Sequence, residues 1–463
     1  MINSAVASSK AERRKQGKAL REKCPRTAQA EWKLRSKSED IVKLLEESDA
    51  DRIPGLIPVK YQRMGVSPFT FYRGAAIIQA RDLATAQVSG INVQACGDCH
   101  LANFGGFASP ERALIFDIND FDETFPGPWE WDVKRLGASL VLAARDRGFS
   151  KVVADEAVGS AAATYRERMA EFSELSVLDT WYAQIHIDAL KAHFRKDADI
   201  LARLSKVQRK ARSRTSEAVV PKLTAVVDGR RKIKDEPPVL FHYQQNVKDM
   251  EKTNRDHLAR YRKSLQADRV ALFDHYTYQD SAVKVVGVGS VGTRCYVALF
   301  LAGEDDPLFL QVKEARRSVL ESPRGKSRFA NQGYRVVTGQ RLMQAASDIF
   351  LGWFGTAQGH DYYVRQFRDM KVSAEVETFR PGTLVAYATI CGWALARAHA
   401  KAGDAAMIAG YLGSTERFDN ALVKYSKAYA DQAERDYETF QAAIRSGRLS
   451  TEPVKGAGLD FLL

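Results

Sequence analysis

Two parts of the chain have the hydrophobic pattern of helices, and the stretch between them has that of strands. Residues 151–220 are rich in Ala, Leu, Arg and Glu with few breakers, which predicts helix throughout. From Thr383 onward the chain is helical again, because apolar residues recur at the spacing of one helix face; these are Leu384, Tyr387, Ala388, Cys391, Leu395 and Ala398. Residues 1–50 are predicted to form a basic helical tail with a sparse apolar stripe, which we expect to pack only weakly.

The stretch between the helical parts predicts a small antiparallel sheet. After Pro237 and Pro238, β-branched and aromatic runs alternate with turn residues such as GEDDP. The predicted strands are 282–286, 293–301, 307–312 and 361–367, and one helix at 327–346 interrupts them. The expected fold class is therefore α+β, with a small β-rich part and a large helical part.

The chain has a formal charge of +12, and two segments hold all of the excess. Residues 1–40 have eleven basic and five acidic side chains, and residues 206–234 have ten basic and two acidic ones. Such segments are either solvated surface or contacts to a polyanion. Nucleic acid is not the favoured partner, because residues 206–234 lack the interleaved aromatic side chains on which bases stack.

Cysteine usage and the amino terminus indicate the compartment. Five cysteines, an odd number, argue against a secreted disulfide framework. The sequence has no apolar signal region at its start and no apolar stretch long enough to span a bilayer, so we expect a cytoplasmic protein. The CGDCH segment at 96–100 matches the attachment pattern of c-type haem, but that chemistry requires export, so we interpret its cysteines as packing residues.

The same segment contains a second pattern, G-D-x-H-x-x-N, with Asp98 and Asn103 five residues apart. In the catalytic loop of kinases this spacing places an Asp that accepts the proton of the acceptor hydroxyl and an Asn that holds a metal. Residues 113–122 then read as an apolar strand that ends in Asp117, Asp120 and Asp122. Carboxylates packed this closely repel one another unless a cation offsets them, which predicts a second metal ligand among the three.

A glycine-rich segment, GVGSVG at 287–292, fits either a dinucleotide-binding turn or a kinase-type phosphate loop. The residues after it, 293–300, suit a strand better than a helix, which favours a hairpin whose backbone covers phosphates through Gly287, Gly289 and Gly292. The alternative is a structural hairpin that binds no ligand, which would show the same sequence pattern. Lys313 ends the next predicted strand, where it would neutralise phosphates, although a surface lysine is the alternative.

Together these motifs resemble the protein-kinase-like superfamily, and within it the aminoglycoside and choline phosphotransferases. In that branch a W-D pair opens the helix after the metal-binding acid, as Trp131 and Asp132 do here. The resemblance implies that Asp132 supports the backbone of the catalytic loop. It also implies that Asp120, twelve residues before Asp132, is the preferred metal ligand, with Asp117 second.

The resemblance gives two further sets of roles. His100 would organise the catalytic loop by hydrogen bonding, since Asp98 takes the role of the base. Arg73 and Arg294 are further candidate phosphate contacts, with solvated or structural arginines as the alternative.

The order of the motifs differs from that of an ordinary kinase. There the glycine loop and the lysine precede the catalytic loop, whereas here they follow it by about 190 residues. Residues 391–404 resemble the helix that normally ends just before the catalytic loop, but here they come after it. The resemblance therefore implies a circularly permuted, bilobal kinase-like fold. Its parts would be the tail at 1–50, the catalytic-loop part of the helical lobe with a helical insert at 51–236, a β-rich nucleotide-binding lobe at 237–375, and the rest of the helical lobe at 376–463.

Segments from SPFTFYRGAA to GQRLMQAASDIFLGW, over roughly residues 50–440, also resemble a large bacterial family of unassigned function that is grouped with kinase-like proteins. The implied function is ATP- and magnesium-dependent phosphate transfer to a hydroxyl group of a small molecule or a protein. Active kinases pair the strand lysine with a Glu on the following helix, but residues 327–346 contain no acid, which leaves Glu321 and Asp348 as candidates. The alternatives are therefore a nucleotide-binding, pseudokinase-like regulatory module and a protein nucleotidyltransferase.

Overall fold

The computed structural model describes residues 8–35, 40–242, 247–285, 287–303, 306–367 and 370–452. Helices and antiparallel strands are both present, so the α+β class is confirmed. The helices are α1 Lys10–Ala19, α2 Ile41–Asp49, α3 Ile57–Met64, α4 Pro68–Gly74, α5 Ala76–Ala84, α6 Trp129–Asp146, α7 Lys151–Phe172, α8 Val177–Tyr182, α9 Ile187–His193, α10 Ala198–Arg212, α11 Ser216–Leu223, α12 Val247–Arg262, α13 Ala267–Phe273, α14 Glu321–Arg324, α15 Gln332–Met343, α16 Pro381–Ala402, α17 Ala405–Leu412 and α18 Arg417–Arg445. The strands are β1 Asn92–Ala95, β2 Phe104–Ala108, β3 Leu114–Ile118, β4 Phe125–Pro128, β5 Thr224–Val227, β6 Arg230–Ile233, β7 Leu240–Phe241, β8 Thr277–Lys284, β9 Cys295–Ala302, β10 Asp306–Glu314, β11 Gly352–Gly355, β12 Asp361–Gln366 and β13 Val372–Ser373.

The largest sheet has six antiparallel strands in the order β11-β12-β10-β9-β8-β7. The four predicted strands correspond to β8, β9, β10 and β12, and the predicted helix corresponds to α15, which begins at Gln332 because the side chain of Asn331 caps it. The sequence pattern missed β7, which has only two residues, and β11, which has glycine at both ends. One face of this sheet packs against α12 and α13 through Tyr261 and Phe273.

A second, smaller group of strands lies against the helices. Strands β13, β2 and β3 form a three-stranded antiparallel sheet, and β1 pairs with β4. The G-D-x-H-x-x-N segment connects β1 to β2, and the acid-rich turn connects β3 to β4. Because Ala95 pairs with Phe125, the start of the first connection and the end of the second lie next to each other.

The main hydrophobic core lies in the helical part, where α16 packs against α7. All six apolar positions predicted for one face of α16 are buried, as the helical repeat requires. The two helices approach so closely that a Cβ atom at Gly392 would collide with the backbone of Ala161. Helix α6 belongs to the same core, and each of its residues from Trp129 to Ala144 is buried.

The described part of the amino-terminal segment packs closely, so the expectation of weak packing is wrong. Gly17 of α1 lies against the backbone of Met407 in α17, and Gly410 of α17 lies against the backbone of Arg14. Arg21 also donates a hydrogen bond to the carbonyl of Gly410 at 2.6 Å. Glycines at both contacts let the two backbones approach, which the charge pattern of the segment does not reveal.

The second basic segment, residues 206–234, forms the end of α10, helix α11 and the hairpin of β5 and β6. Val226 in this hairpin is 65% exposed, which places the hairpin at the surface. None of the helices in the described ranges has the length and hydropathy needed to cross a membrane.

Two glycines of α16 provide a test of this packing. Gly392→Ala should lower the free energy of unfolding by about 1–3 kcal/mol, because the added methyl group overpacks the contact with Ala161. Gly382→Ala is the matched control, since nothing lies within 4 Å of its added Cβ. Urea unfolding followed by circular dichroism measures both, and equal midpoints for the two variants would contradict the close approach of α16 and α7.

Candidate functional site

A cavity of about 120 Å³ lies where several distant parts of the chain meet. The G-D-x-H-x-x-N segment contributes Asp98, His100 and Asn103, and the turn after β3 contributes Asp120, Asp122 and Glu123. The loop between β8 and β9, which we call the glycine loop, contributes Gly287, Gly289 and Ser290, and residues 73–77 close one side. This volume suits a phosphate-sized group, whereas sites for whole drug-sized ligands measure about 300–1,000 Å³.

Hydrogen bonds fix the position of Asp98 at the cavity. Its Oδ1 accepts a hydrogen bond from Nε of Arg135 at 2.6 Å, and its backbone carbonyl accepts one from Nδ2 of Asn103 at 2.6 Å. The Asp98 side chain keeps 20% of its surface exposed. Its carboxylate is therefore oriented by Arg135 and remains accessible from the cavity.

Asp132 lies behind the loop and does not line the cavity. Its two carboxylate oxygens accept hydrogen bonds from the backbone N–H groups of Cys96 and Gly97, at 2.6 and 2.9 Å. His399 Nε2 lies 3.1 Å from Oδ2 of Asp132, and Tyr165 bonds the other nitrogen of this imidazole at 2.8 Å. Asp132 thus holds the backbone that leads into Asp98.

The three acids after β3 are in different environments. Asp117 is fully buried, and its oxygens accept hydrogen bonds from Arg397 at 2.7 and 2.8 Å and from the N–H of Ala345 at 2.8 Å. Asp120 and Asp122 line the cavity, with side chains 30% and 29% exposed. The structure therefore brings Asp120 to the cavity, whereas it places Asp117, the second candidate metal ligand, in a buried ion pair.

Lys313 joins β10 to these acids. Its Nζ lies 2.7 Å from Oδ2 of Asp122 and 3.5 Å from both oxygens of Asp120. Tyr363, its cross-strand neighbour on β12, donates a hydrogen bond to Oδ1 of Asp122 at 2.6 Å. The carboxylate partners of Lys313 are thus in the acid turn, whereas Asp348 accepts the N–H of Phe350.

The opposite charges of Lys313 and of Asp120 and Asp122 stabilise one another. Burial raises the pKa of Asp120, but the positive charges of Lys313, Arg365 and Lys371 outweigh this effect and lower its pKa to about 2. Burial in turn lowers the pKa of Lys313, but Asp120 and Asp122 outweigh this effect and raise it well above its usual range. Asp120 and Lys313 are therefore both charged at neutral pH.

Hydrogen bonds from the segment around α3 fix the position of the glycine loop. Gly287 and Gly292 have φ angles of +68° and +86°, which residues with a Cβ rarely adopt. The carbonyl of Gly287 accepts a hydrogen bond from Arg63 at 2.7 Å, and that of Gly292 accepts one from the N–H of Ile53 at 2.8 Å. The predicted contact Arg294 instead binds Glu314, at 3.1 Å, and does not line this cavity.

Residues 52–443 match the family DUF2252, which is described as an uncharacterized protein conserved in bacteria. The chain belongs to the DUF2252 family. No curated protein and no solved structure gave a match. The matched range includes the G-D-x-H-x-x-N segment, the acid turn, the glycine loop and Lys313.

Sequence reasoning missed two side chains of the DUF2252 site. Arg135 follows Asp132 by three residues on α6, so the i,i+3 spacing of a helix face was an available signal. Tyr363 reaches the site only through the register of β12 against β10, which no local pattern encodes. Cys96 and Cys99 are buried free cysteines, as expected of packing residues.

The oxygen atoms at the cavity are of the kind that hard divalent cations bind. Asp120 and Asp122 offer carboxylates, and Asn103 offers its amide oxygen because its NH₂ group is bound to Asp98. In the described ranges no group of three His, Cys, Asp or Glu side chains is arranged to hold a metal ion. Magnesium is compatible with such a site, since it commonly uses one or two carboxylates together with water and phosphate oxygens.

His100 gives this site a testable pH dependence. Burial lowers its pKa to about 3, and the charges of Arg73 and Arg135 act in the same direction. An unfolded chain takes up this proton near pH 6.5, so the folded state loses stability as the pH falls from about 6.5 towards 3, by up to ~1.4 kcal/mol per unit. His100→Gln should remove this loss, and urea unfolding between pH 7 and 4.5 measures it against the exposed-histidine control His275→Gln. Equal slopes for the wild type and His100→Gln would contradict the assignment.

Proposed function

We propose that this DUF2252 protein transfers a phosphoryl group from magnesium-bound ATP to a hydroxyl group of an acceptor. The observation that carries the proposal is the meeting of Asp98, Asn103 and Asp120 with the glycine loop around one cavity, which Lys313 joins through its ion pair with Asp120. These residues are the types that phosphoryl transfer requires: a base, oxygen ligands for a metal, a cation and a phosphate-covering loop. They lie up to about 215 residues apart in the chain.

We also propose that the fold is a circularly permuted, bilobal kinase-like fold. In the ordinary order the helix equivalent to α16 would run directly into β1 and the catalytic loop. In support, Gly403 at the end of α16 lies directly against Val93 of β1, and His399 of α16 contacts Asp132. The end of one segment and the start of the other are therefore adjacent, as a cut between them requires.

In the proposed reaction Asp98 positions the acceptor and takes its proton. The hydroxyl oxygen attacks the terminal phosphorus of ATP, the bond to the bridging oxygen breaks, ADP leaves, and the hydroxyl proton passes to Asp98. Arg135 keeps the Asp98 carboxylate in place through the 2.6 Å hydrogen bond. Catalysis of this kind depends on positioning and charge neutralisation, without a covalent intermediate.

Magnesium would bind Asp120 and Asn103, with Asp122 beside them, and would supply positive charge to the phosphate oxygens. Lys313 would lie behind these acids, since its side chain is 2% exposed, and its charge would act on the phosphates from there. The glycine loop offers backbone N–H groups above them. The base and sugar of the nucleotide would extend outside the cavity, because its volume is about 120 Å³.

One observation favours a second candidate, a nucleotide-binding regulatory module without turnover. Lys313 is held by the same acids that would bind the metal, and α15 supplies no acid to replace them. The negative charges of Asp120 and Asp122 are then offset by Lys313 and not by a metal. Nucleotidyl transfer to a protein is the enzymatic variant of this candidate.

Binding of magnesium and ATP tests the proposed site. At a ligand concentration of 100 Kd the wild type should gain about 2.7 kcal/mol of stability, measured as a rise in the melting temperature. Asp120→Asn should lose this gain, because the metal loses a charged ligand, whereas Asp98→Asn should keep it. A melting temperature that does not change in millimolar magnesium and ATP would exclude the proposal.

Turnover separates phosphotransfer from the two alternatives. The wild type should convert magnesium-bound ATP to ADP, slowly with water alone and faster with an acceptor, and Asp98→Asn should reduce the rate at least 100-fold through loss of the base. Ion-exchange chromatography of the nucleotides and intact-protein mass spectrometry follow the products. AMP attached to protein would identify nucleotidyl transfer, and nucleotide binding without any product would identify the regulatory module.

A further inference from the structure

Arg73 differs from the other cations around the cavity. Arg52 forms an ion pair with Asp49 at 2.8 Å, and Arg316 forms one with Asp51. Among the described residues Arg73 forms no ion pair with a carboxylate, although Asp98 and Glu377 lie near enough to act on its charge. Its guanidinium lies 5.6 Å from the ring centre of Phe69, and its buried Nε has no hydrogen-bond acceptor. A partly buried cation without a hydrogen-bonded anion is costly, which points to an anion supplied by a ligand.

His100 lines the same cavity and is also incompletely bonded. Its side chain is 5% exposed, its Nδ1 has no hydrogen-bond partner, and its Nε2 lies 3.8 Å from Asp98. Burial keeps the imidazole neutral, so one of its nitrogens carries a hydrogen, and the unbonded Nδ1 is a polar atom open to pairing with a ligand. A second polar group is therefore available beside Arg73.

The amino terminus of α5 closes this side of the cavity. Gly74, Ala76 and Ile77 line it, and the cap residue Ala75 has no side chain that could accept from the first N–H groups. Such a terminus carries partial positive charge and free N–H groups that suit an oxyanion. A guanidinium group, an imidazole and the first residues of α5 thus line one space.

We infer that Arg73, His100 and the amino terminus of α5 form a binding subsite for a phosphate group, next to Asp98. Phosphate matches this set because it accepts from the planar fork of an arginine and from backbone amides together. The phosphate is either the terminal phosphate of the nucleotide or a phosphate group carried by the acceptor. The inference extends the proposed function, and in the second case it makes the acceptor a phosphorylated alcohol.

Calorimetric titration of the full-length protein with inorganic phosphate, with and without magnesium, tests the subsite. Arg73→Gln should weaken phosphate binding about tenfold or more, since a hydrogen-bonded charge is lost. Arg73→Lys should give an intermediate affinity, because it keeps the charge but not the fork. Arg209→Gln removes one exposed charge from the second basic segment and should leave the affinity within about twofold. Circular dichroism and melting temperatures verify that each variant is folded.

Three results would overturn the inference: phosphate fails to bind the wild type, Arg73→Gln and Arg73→Lys bind it as the wild type does, or Arg209→Gln weakens it equally. Competition then identifies the source. If a magnesium-bound nonhydrolysable ATP analogue displaces phosphate but magnesium-bound ADP does not, the subsite belongs to the terminal phosphate of the nucleotide. If phosphate and the ATP analogue bind at the same time, it belongs to the acceptor. Phosphate binding that depends on Arg73 in a protein that binds no nucleotide would refute the proposed function and leave the subsite standing.

Discussion

The ammonium group of Lys313 links the six-stranded sheet to the turn that carries Asp120 and Asp122. A buried ion pair has little net effect on stability unless its geometry is good, but loss of one partner leaves an uncompensated charge. Here the lysine side chain is 2% exposed and its partners are about 30% exposed, so the acids are open to the cavity and the lysine is not. This contact connects β10, β12 and the acid turn, since Tyr363 of β12 donates a hydrogen bond to the same carboxylate.

The catalytic-loop segment is held from the opposite side by core residues. Asp132 binds two backbone N–H groups of the loop, and Arg135, one helical turn later, binds Asp98 itself. His399 connects Asp132 to α16, which is buried against α7. The loop that carries Asp98 is thus supported by α6 and α16, two helices of the main core. This suits a site that must hold its groups in fixed positions. The cavity is lined by none of the described residues of the two basic segments, so their positive charge lies outside it.

Local patterns predicted much of this structure because they act over short distances. The β-branched runs became β8, β9, β10 and β12, and the apolar positions of α16 are buried. The spacing that singled out Asp98 and Asn103 is also local.

Long-range contacts explain what the sequence left open. Asp117 and Asp120 both follow β3, and the choice between them depends on Arg397, which lies 280 residues away and binds Asp117. Likewise Glu314 binds Arg294 across the β9–β10 hairpin, and glycine contacts dock α1 on α17.

A crystal structure with magnesium and a nonhydrolysable ATP analogue tests the central claim most directly, which is that this cavity receives the phosphates of a nucleotide. We predict phosphates beneath Gly287 and Gly289, with the metal bound by Asp120 and Asn103. A nucleotide bound at another place, with the cavity between the glycine loop and the acid turn unchanged, would contradict it.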